Sequence, residues 1–211
     1  MLIEPFVGGP AETNGYLVCD RPGGHAVVID APLGTAAQMV EKAREWETPI
    51  ETLLNTHGHW DHFLDNAALL RLTKARFGIH RDSALLLALP QTRMFGLDIE
   101  IEPSEPDFFL EEGKPFVCGT LRFDVLHCPG HCPGSVVLVE LRERVAFVGD
   151  VLFAGSVGRA DLPGGDYETL LRSIREKLLP LGDDVRVFSG HGPATTIGEE
   201  RRTNPFLAGL A

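Results

Sequence analysis

Thr56-His57-Gly58-His59-Trp60-Asp61-His62 is the stretch on which the reading of this chain turns, because four of its residues can ligate a metal ion. It follows the apolar run Ile50-Glu51-Thr52-Leu53-Leu54, which reads as a strand that delivers the motif to the end of a sheet. In an extended segment residues two apart share a side, whereas on a helix His57 and His59 would diverge by about 200°. The spacing therefore suits two imidazoles converging on one ion. Trp60 and Phe63 begin a run with helical spacing through Leu64, Ala67, Ala68 and Leu72, which puts Asp61 and His62 at or near a helix start.

A metal ion needs more ligands than this turn supplies. Three further candidates lie in distant glycine-rich loops, each after a strand-like segment. They are His131 in Cys128-Pro129-Gly130-His131-Cys132-Pro133-Gly134-Ser135, Asp150 after Val145-Ala146-Phe147-Val148-Gly149, and His191 in Val187-Phe188-Ser189-Gly190-His191-Gly192-Pro193.

HxHxDH followed by a downstream His, Asp and His resembles the metallo-β-lactamase superfamily. Gly130-His131-Cys132-Pro133-Gly134-Ser135 with Gly149-Asp150-Val151-Leu152-Phe153 resembles its glyoxalase II branch, the hydroxyacylglutathione hydrolases. The likeness covers nearly the whole chain. It implies an α/β (α+β) fold, the four-layer αββα sandwich, as one domain over residues 1–211. It also implies that His57, His59 and His131 hold a first metal, that Asp61, His62 and His191 hold a second, and that Asp150 bridges both. His25, His80 and His127 lie outside these motifs and are read as ordinary surface or core residues.

A chain of 211 residues is long enough for one sizeable core, and 44% hydrophobic with 23% charged residues is ordinary for a globular protein. Relatives in the superfamily process nucleic acids, which calls for a basic footprint against phosphates. A net charge of −11 supplies none, so no nucleic-acid partner is expected. The N-terminus Met1-Leu2-Ile3-Glu4-Pro5-Phe6 has no basic segment or long apolar core, and no later run has the length of a membrane span. A cytoplasmic protein without a membrane partner is the expectation. Cys19, Cys118, Cys128 and Cys132 form neither a CxxC pair nor a secreted disulfide pattern, and are read as buried thiols. Glyoxalase-like sequences usually carry Thr where Cys132 stands, which makes it a small packing residue.

Taken in order, Leu2 to Val7, Gly15 to Cys19 and His25 to Asp30 read as antiparallel strands. Asp30 reads as a loop hydrogen-bond acceptor. The spacing predicts a helix from Thr35 to Glu47, stopped by Pro49, and a strand from Phe77 to His80. A short helix from Asp82 to Leu89 is closed by Pro90. Gln91 to Pro106 has no clean period and reads either as a lid that brings Met94 and Phe95 to an acyl group or as a cover for the core. Phe116 to Cys118, Leu121 to Leu126, Ser135 to Glu140 and Val145 to Val148 form a second strand series. A helix from Tyr167 to Leu179, ended by Pro180, and a strand from Val185 to Phe188 follow.

Two divalent ions about 3.5 to 4 Å apart lower the pKa of a shared water so that hydroxide exists at neutral pH. Such a bridging hydroxide suits attack on a thioester, whose thiolate leaves without much protonation. Asp61 and Asp150 are the carboxylates expected to be catalytic as well as ligating. A His and carboxylate ligand set suits zinc, iron or manganese, and the resemblance puts zinc first. The expected activity is hydrolysis of a small-molecule thioester such as S-D-lactoylglutathione.

The match departs from glyoxalase II in one loop. Those enzymes carry a Lys and a Tyr after the bridging Asp and end in a helical domain that completes the glutathione site. Here Gly158-Arg159-Ala160-Asp161 stands instead, and 211 residues leave no room for that domain. The pattern resembles a short bacterial subgroup of glyoxalase II-like proteins. Arg159 is a candidate for binding a substrate carboxylate bidentately, or else it pairs with Asp161. The rival reading is a persulfide dioxygenase with one iron on His57, His131 and Asp150, which would leave four ligand positions vacant. A third is a metal-binding protein without catalysis. Lactam hydrolysis is disfavoured by the missing secretory signal.

Overall fold

The apolar runs at the start of the chain form β1 (Leu2–Gly8), β2 (Thr13–Cys19) and β3 (Ala26–Ile29), paired antiparallel in sequence order as predicted. The structure is a computed structural model that describes residues 1–89 and 91–209, apart from the Met94 side chain. The chain divides into two compact units, Met1–Leu110 with Val117–Leu121, and Glu111–Phe116 with Arg122 onward.

In the first unit α1 (Ala36–Glu45) buries Ala36, Met39 and Ala43 and carries Lys42 and Arg44 in its last turn, where cations complement the helix dipole. It is shorter than expected, because Glu47 takes a left-handed φ of 54° before Pro49 is reached. β4 (Ile50–Leu54) then lies parallel to β3. The helix expected to run from Asp61 begins only at Asn66, as α2 (Asn66–Thr73), after a 3-10 turn at Trp60–His62. The cause is competition for backbone groups. The Ala31 N–H donates to the His62 carbonyl at 2.9 Å, and the Asp65 N–H donates to the Ala31 carbonyl at 2.9 Å, so the helical ladder cannot extend back through His62.

β5 (Arg76–His80) continues the parallel run, followed by α3 (Arg81–Ala84) and α4 (Gln91–Met94), each about one turn long. The helix predicted over Asp82 to Leu89 is therefore mostly turns, and its predicted closure at Pro90 lies outside the described residues. β6 (Phe108–Leu110) was not foreseen. It pairs parallel with β5, its Phe108 ring lies where a Cβ on Gly78 would sit, and the guanidinium of Arg81 stacks on Phe109 at 4.2 Å. The sheet order is β1-β2-β3-β4-β5-β6, and Leu17, Met39, Leu53, Phe63 and Phe77 are central in the core against it. β2 and β3 are buried along their whole length, which is why Tyr16 to Cys19 and Ala26 to Ile29 carry no charged residue.

The second strand series is β7 (Phe116–Cys118), β8 (Leu121–His127), β9 (Val136–Glu140) and β10 (Val145–Gly149), close to the predicted bounds. A two-residue-per-strand hairpin, β11 (Leu152–Phe153) with β12 (Ser156–Val157), precedes α5 (Tyr167–Ser173). Asp166 caps α5 by accepting from the Thr169 N–H at 2.7 Å. The helix predicted to Leu179 widens instead into a π turn at Ile174–Leu178 and tightens into a 3-10 turn at Leu179–Leu181. Pro180 lacks the N–H that the α ladder needs and crowds the carbonyl four residues back. β13 (Arg186–Ser189) lies parallel to β10, and β14 (Thr195–Thr196) leads into α6 (Ile197–Thr203). The second sheet has the order β14-β13-β10-β9-β8-β7. Val137, Val148, Leu170, Ile174 and Ile197 belong to the second unit's core. Two six-stranded sheets with helices make the fold mixed α/β, the class that the resemblance implied.

Gly130 shows how tightly the loop before His131 is set. Its φ is +130°, and a Cβ there would lie 2.2 Å from the Leu170 backbone nitrogen in the middle of α5. Gly130→Ala is expected to destabilise the fold by about 2 kcal/mol or more through overpacking against backbone, read as a lowered melting temperature. An unchanged melting temperature would contradict this packing.

Candidate functional site

Asp30 ends β3 in a left-handed conformation with φ 59°, and only 2% of it is exposed. Its Oδ1 accepts from the Thr56 N–H at 2.8 Å and the Asn55 side-chain amide at 3.2 Å. Its Oδ2 accepts from the Thr56 hydroxyl at 2.7 Å and from His62 Nδ1 at 2.8 Å. The sequence reading of Asp30 as a hydrogen-bond acceptor is correct. What sequence did not show is that one of its donors is an imidazole of the HxHxDH motif.

That contact fixes the chemistry of His62. With Nδ1–H given to a carboxylate, Nε2 is the lone-pair nitrogen, the arrangement found in carboxylate–histidine–metal triads. His62 Nε2 lies 3.5 Å from Asp61 Oδ2, and that same carboxylate oxygen accepts from the Thr13 hydroxyl at 2.7 Å. Because Thr56 Oγ1 donates to Asp30, it accepts from His57 Nδ1 at 3.1 Å, which assigns Nε2 of His57 as a second lone-pair nitrogen. The His57 ring centroid is 4.8 Å from that of His59 and 4.1 Å from that of His62. The first unit thus gathers His57, His59, Asp61 and His62 at one end of β4.

Two further residues hold the motif in place. A Cβ on Gly58 would come within 2.4 Å of the Ser83 carbonyl, so the glycine between the two histidines is a close approach of backbones. Gln91 donates through Nε2 to the Gly58 carbonyl at 2.8 Å and accepts from the Trp60 N–H at 3.3 Å. Sequence reasoning missed Gln91, and no local signal could have found it, since its partners within the motif, Gly58 and Trp60, lie some thirty residues upstream. Phe95 touches Trp60, with ring centroids 5.8 Å apart. The irregular segment lines a cavity of about 560 Å³ together with Leu87 and Leu89.

In the second unit β10 and β13 are parallel neighbours, so the loops after them start side by side. The Gly190 N–H donates to the Gly149 carbonyl at 2.8 Å, which ties the His191 loop to the Asp150 loop. Asp150 Oδ2 lies 3.5 Å from His131 Nε2 and 3.5 Å from His191 Nε2. Those separations are too long for hydrogen bonds. They match two donors held at about 2.1 Å on one tetrahedral ion, which sit about 3.4 Å apart. His131 Nδ1 donates to the Arg159 carbonyl at 2.7 Å, so its Nε2 is again the lone-pair nitrogen. Imidazole and carboxylate donors of this kind, His57, His59, Asp61 and His62 in the first unit and His131, Asp150 and His191 in the second, are the types that suit borderline divalent ions such as zinc, iron or manganese.

The Gly158-Arg159-Ala160-Asp161 loop acts on His131 through its backbone. A Cβ on Gly158 would lie 1.8 Å from the Asp150 carbonyl oxygen, so only glycine lets the chain pass there and bring the Arg159 carbonyl to the imidazole. The Arg159 side chain is paired bidentately with Asp161 at 2.7 and 2.8 Å, and this pairing holds the Asp161 carboxyl down at about 2. Cys128 and Cys132 are fully buried beside His131, and burial pushes the Cys128 thiol up to about 12. All four cysteines are buried and outside any disulfide, in line with their reading as buried thiols. His127 and His80 serve locally, at the Pro133 carbonyl and at the α3 N-terminus.

The family model for the metallo-beta-lactamase superfamily matches residues 8–191. Hydroxyacylglutathione hydrolase GloC of Haemophilus influenzae is 44% identical over 191 residues, 87% of each chain. Among solved structures, BLEG-1, described as a B3 metallo-beta-lactamase, superposes with a TM-score of 0.91 at 37% identity, over 99% of this chain and 100% of that one. TTHA1623, solved in a di-iron-bound form, gives a TM-score of 0.86 at 38% identity over 97% and 100%. A family match over residues 8–191, with a relative 44% identical over 87% of each chain, means that this protein belongs to the metallo-β-lactamase superfamily.

Proposed function

We propose that the chain is a dinuclear metal-dependent hydrolase of a small thioester, of the hydroxyacylglutathione type. In this reading His57, His59 and His131 hold one ion, Asp61, His62 and His191 a second, and Asp150 lies between them. The observation that carries it is the position of Asp150 Oδ2, 3.5 Å from the Nε2 atoms of two histidines assigned to different ions. The 44% identity to GloC supports the thioester class. Zinc is the first choice of metal and manganese a third. Iron gains weight from the 38% identical relative in di-iron form.

Bound there, two divalent ions supply hydroxide at neutral pH and Lewis-acid polarisation of a carbonyl. The chain's own residues do the orienting. Asp30 and the Arg159 carbonyl fix the tautomers of His62 and His131, and Thr13 holds one oxygen of Asp61. Arg159 enters as a substrate contact when a substrate carboxylate displaces Asp161 from its bidentate pair. No nucleic-acid partner belongs to this reading, given the net charge of −11. Among the described residues no helix is long and apolar enough to cross a membrane. We place the protein in the cytoplasm without a membrane partner.

The test is turnover of S-D-lactoylglutathione in air and under nitrogen. Equal rates in both, lost on chelation and restored by zinc or iron, are expected. Oxygen uptake on a glutathione persulfide without thioester hydrolysis would put the dioxygenase reading in its place, and turnover of β-lactams alone would put a lactamase there. Asp150→Ala is expected to lower kcat/KM by about three orders of magnitude, equivalent to several kcal/mol of transition-state stabilisation. A loss of under tenfold would contradict a bridging role. Asp30→Asn is expected to weaken metal binding by roughly 10 to 100-fold, as for other groups that orient a ligating histidine, measured by competition with a chelator. Unaltered affinity would show that Asp30 orients nothing.

A further inference from the structure

We propose that His25, Glu51 and Cys118 form a separate site for one zinc-class divalent cation. The three residues all lie in the first unit, and none belongs to the seven discussed above. Their ligand atoms lie within 4.8 Å of one another. His25 Nδ1 is 2.7 Å from Glu51 Oε1, and Cys118 Sγ is 3.6 Å from Glu51 Oε2.

Three separate backbone devices bring them together. The β3–β4 ladder passes from Ala26↔Ile50 to Val27↔Thr52, so Glu51 is the extra residue of a bulge, a feature that re-aims a side chain. Gly119 follows Cys118 with φ +57°, and a Cβ there would strike the His25 ring at 2.2 Å. The imidazole thus packs over the one residue type that lets it sit beside Cys118. Asp20 joins the segments, accepting from the His25 N–H at 2.8 Å and from the Thr120 hydroxyl at 3.0 Å.

The donor chemistry selects the ion. One thiolate, one imidazole and one carboxylate are the ligand types zinc takes, and three protein ligands leave a fourth position for water. His25 and Glu51 side chains are 44% and 42% exposed, so an ion has access from solvent. Without an ion, burial and the Glu51 carboxylate push the Cys118 thiol up to about 12, so it is protonated and donates to Glu51. Binding replaces the S–H bond by a metal–sulfur bond and releases that proton to solvent.

Cobalt(II) tests the site, because the seven-residue centre contains no thiolate. Titration of the full chain with cobalt is expected to produce a thiolate-to-cobalt charge-transfer band in the near ultraviolet. The band is expected to vanish in Cys118→Ser, to weaken at least tenfold in cobalt affinity in His25→Ala, and to persist in Cys132→Ser beside His131. Excess zinc should abolish it. Thioester turnover is expected to be unchanged in Cys118→Ser, so loss of hydrolysis elsewhere does not bear on this site. No band in the folded wild type, or a band that survives Cys118→Ser, would leave only a His25–Glu51 ion pair with a buried thiol beneath it and overturn the proposal.

Discussion

The buried carboxylate of Asp30 is the contact on which the metal motif depends. A charge at 2% exposure costs several kcal/mol unless its lone pairs are met. Here the Thr56 amide and hydroxyl, the Asn55 amide and the His62 imidazole meet them. Asn55 is bound in turn by the Asn66 side chain at 2.6 Å, at the first residue of α2. One acid thereby fixes the ends of β3 and β4, the 3-10 turn and the start of α2 relative to each other. The interruption of the helix before Asn66 follows from the same network, since the His62 carbonyl is spent on Ala31 and Asn55.

The second unit orients His131, Asp150 and His191 without a buried carboxylate of that kind. His131 is aimed by a backbone carbonyl that can reach it only because Gly158 has no Cβ, and its loop is held to α5 through Gly130. His191 and Asp150 are brought together by parallel pairing of β10 with β13 and one loop-to-loop hydrogen bond. Side-chain electrostatics do the positioning in one unit and backbone geometry does it in the other.

The candidate ligands stood out in the sequence because His and Asp are gathered in short motifs that follow strand-like runs. The long strands were legible for the same local reason, a periodic or continuous apolar pattern. Gln91, β6 and the bulge at Glu51 were not, since each is defined by a partner far away in sequence: Gly58, β5 and β3 respectively. The widened turn after Ser173 was hidden because Leu170, Ile174 and Leu178 keep a helical apolar spacing while the backbone beneath them departs from α geometry. In the loop at residues 158–161 the sequence drew attention to the Arg159 side chain, whereas the contact with His131 is made by its carbonyl.

In the proposed function the seven His and Asp residues hold two ions. Elemental mass spectrometry measures this most directly, on Cys118→Ser protein purified without chelator from cells supplied with both zinc and iron, so that the outlying cluster adds nothing to the count. Close to two ions per chain are expected. A single iron, with zinc and manganese absent, would contradict it.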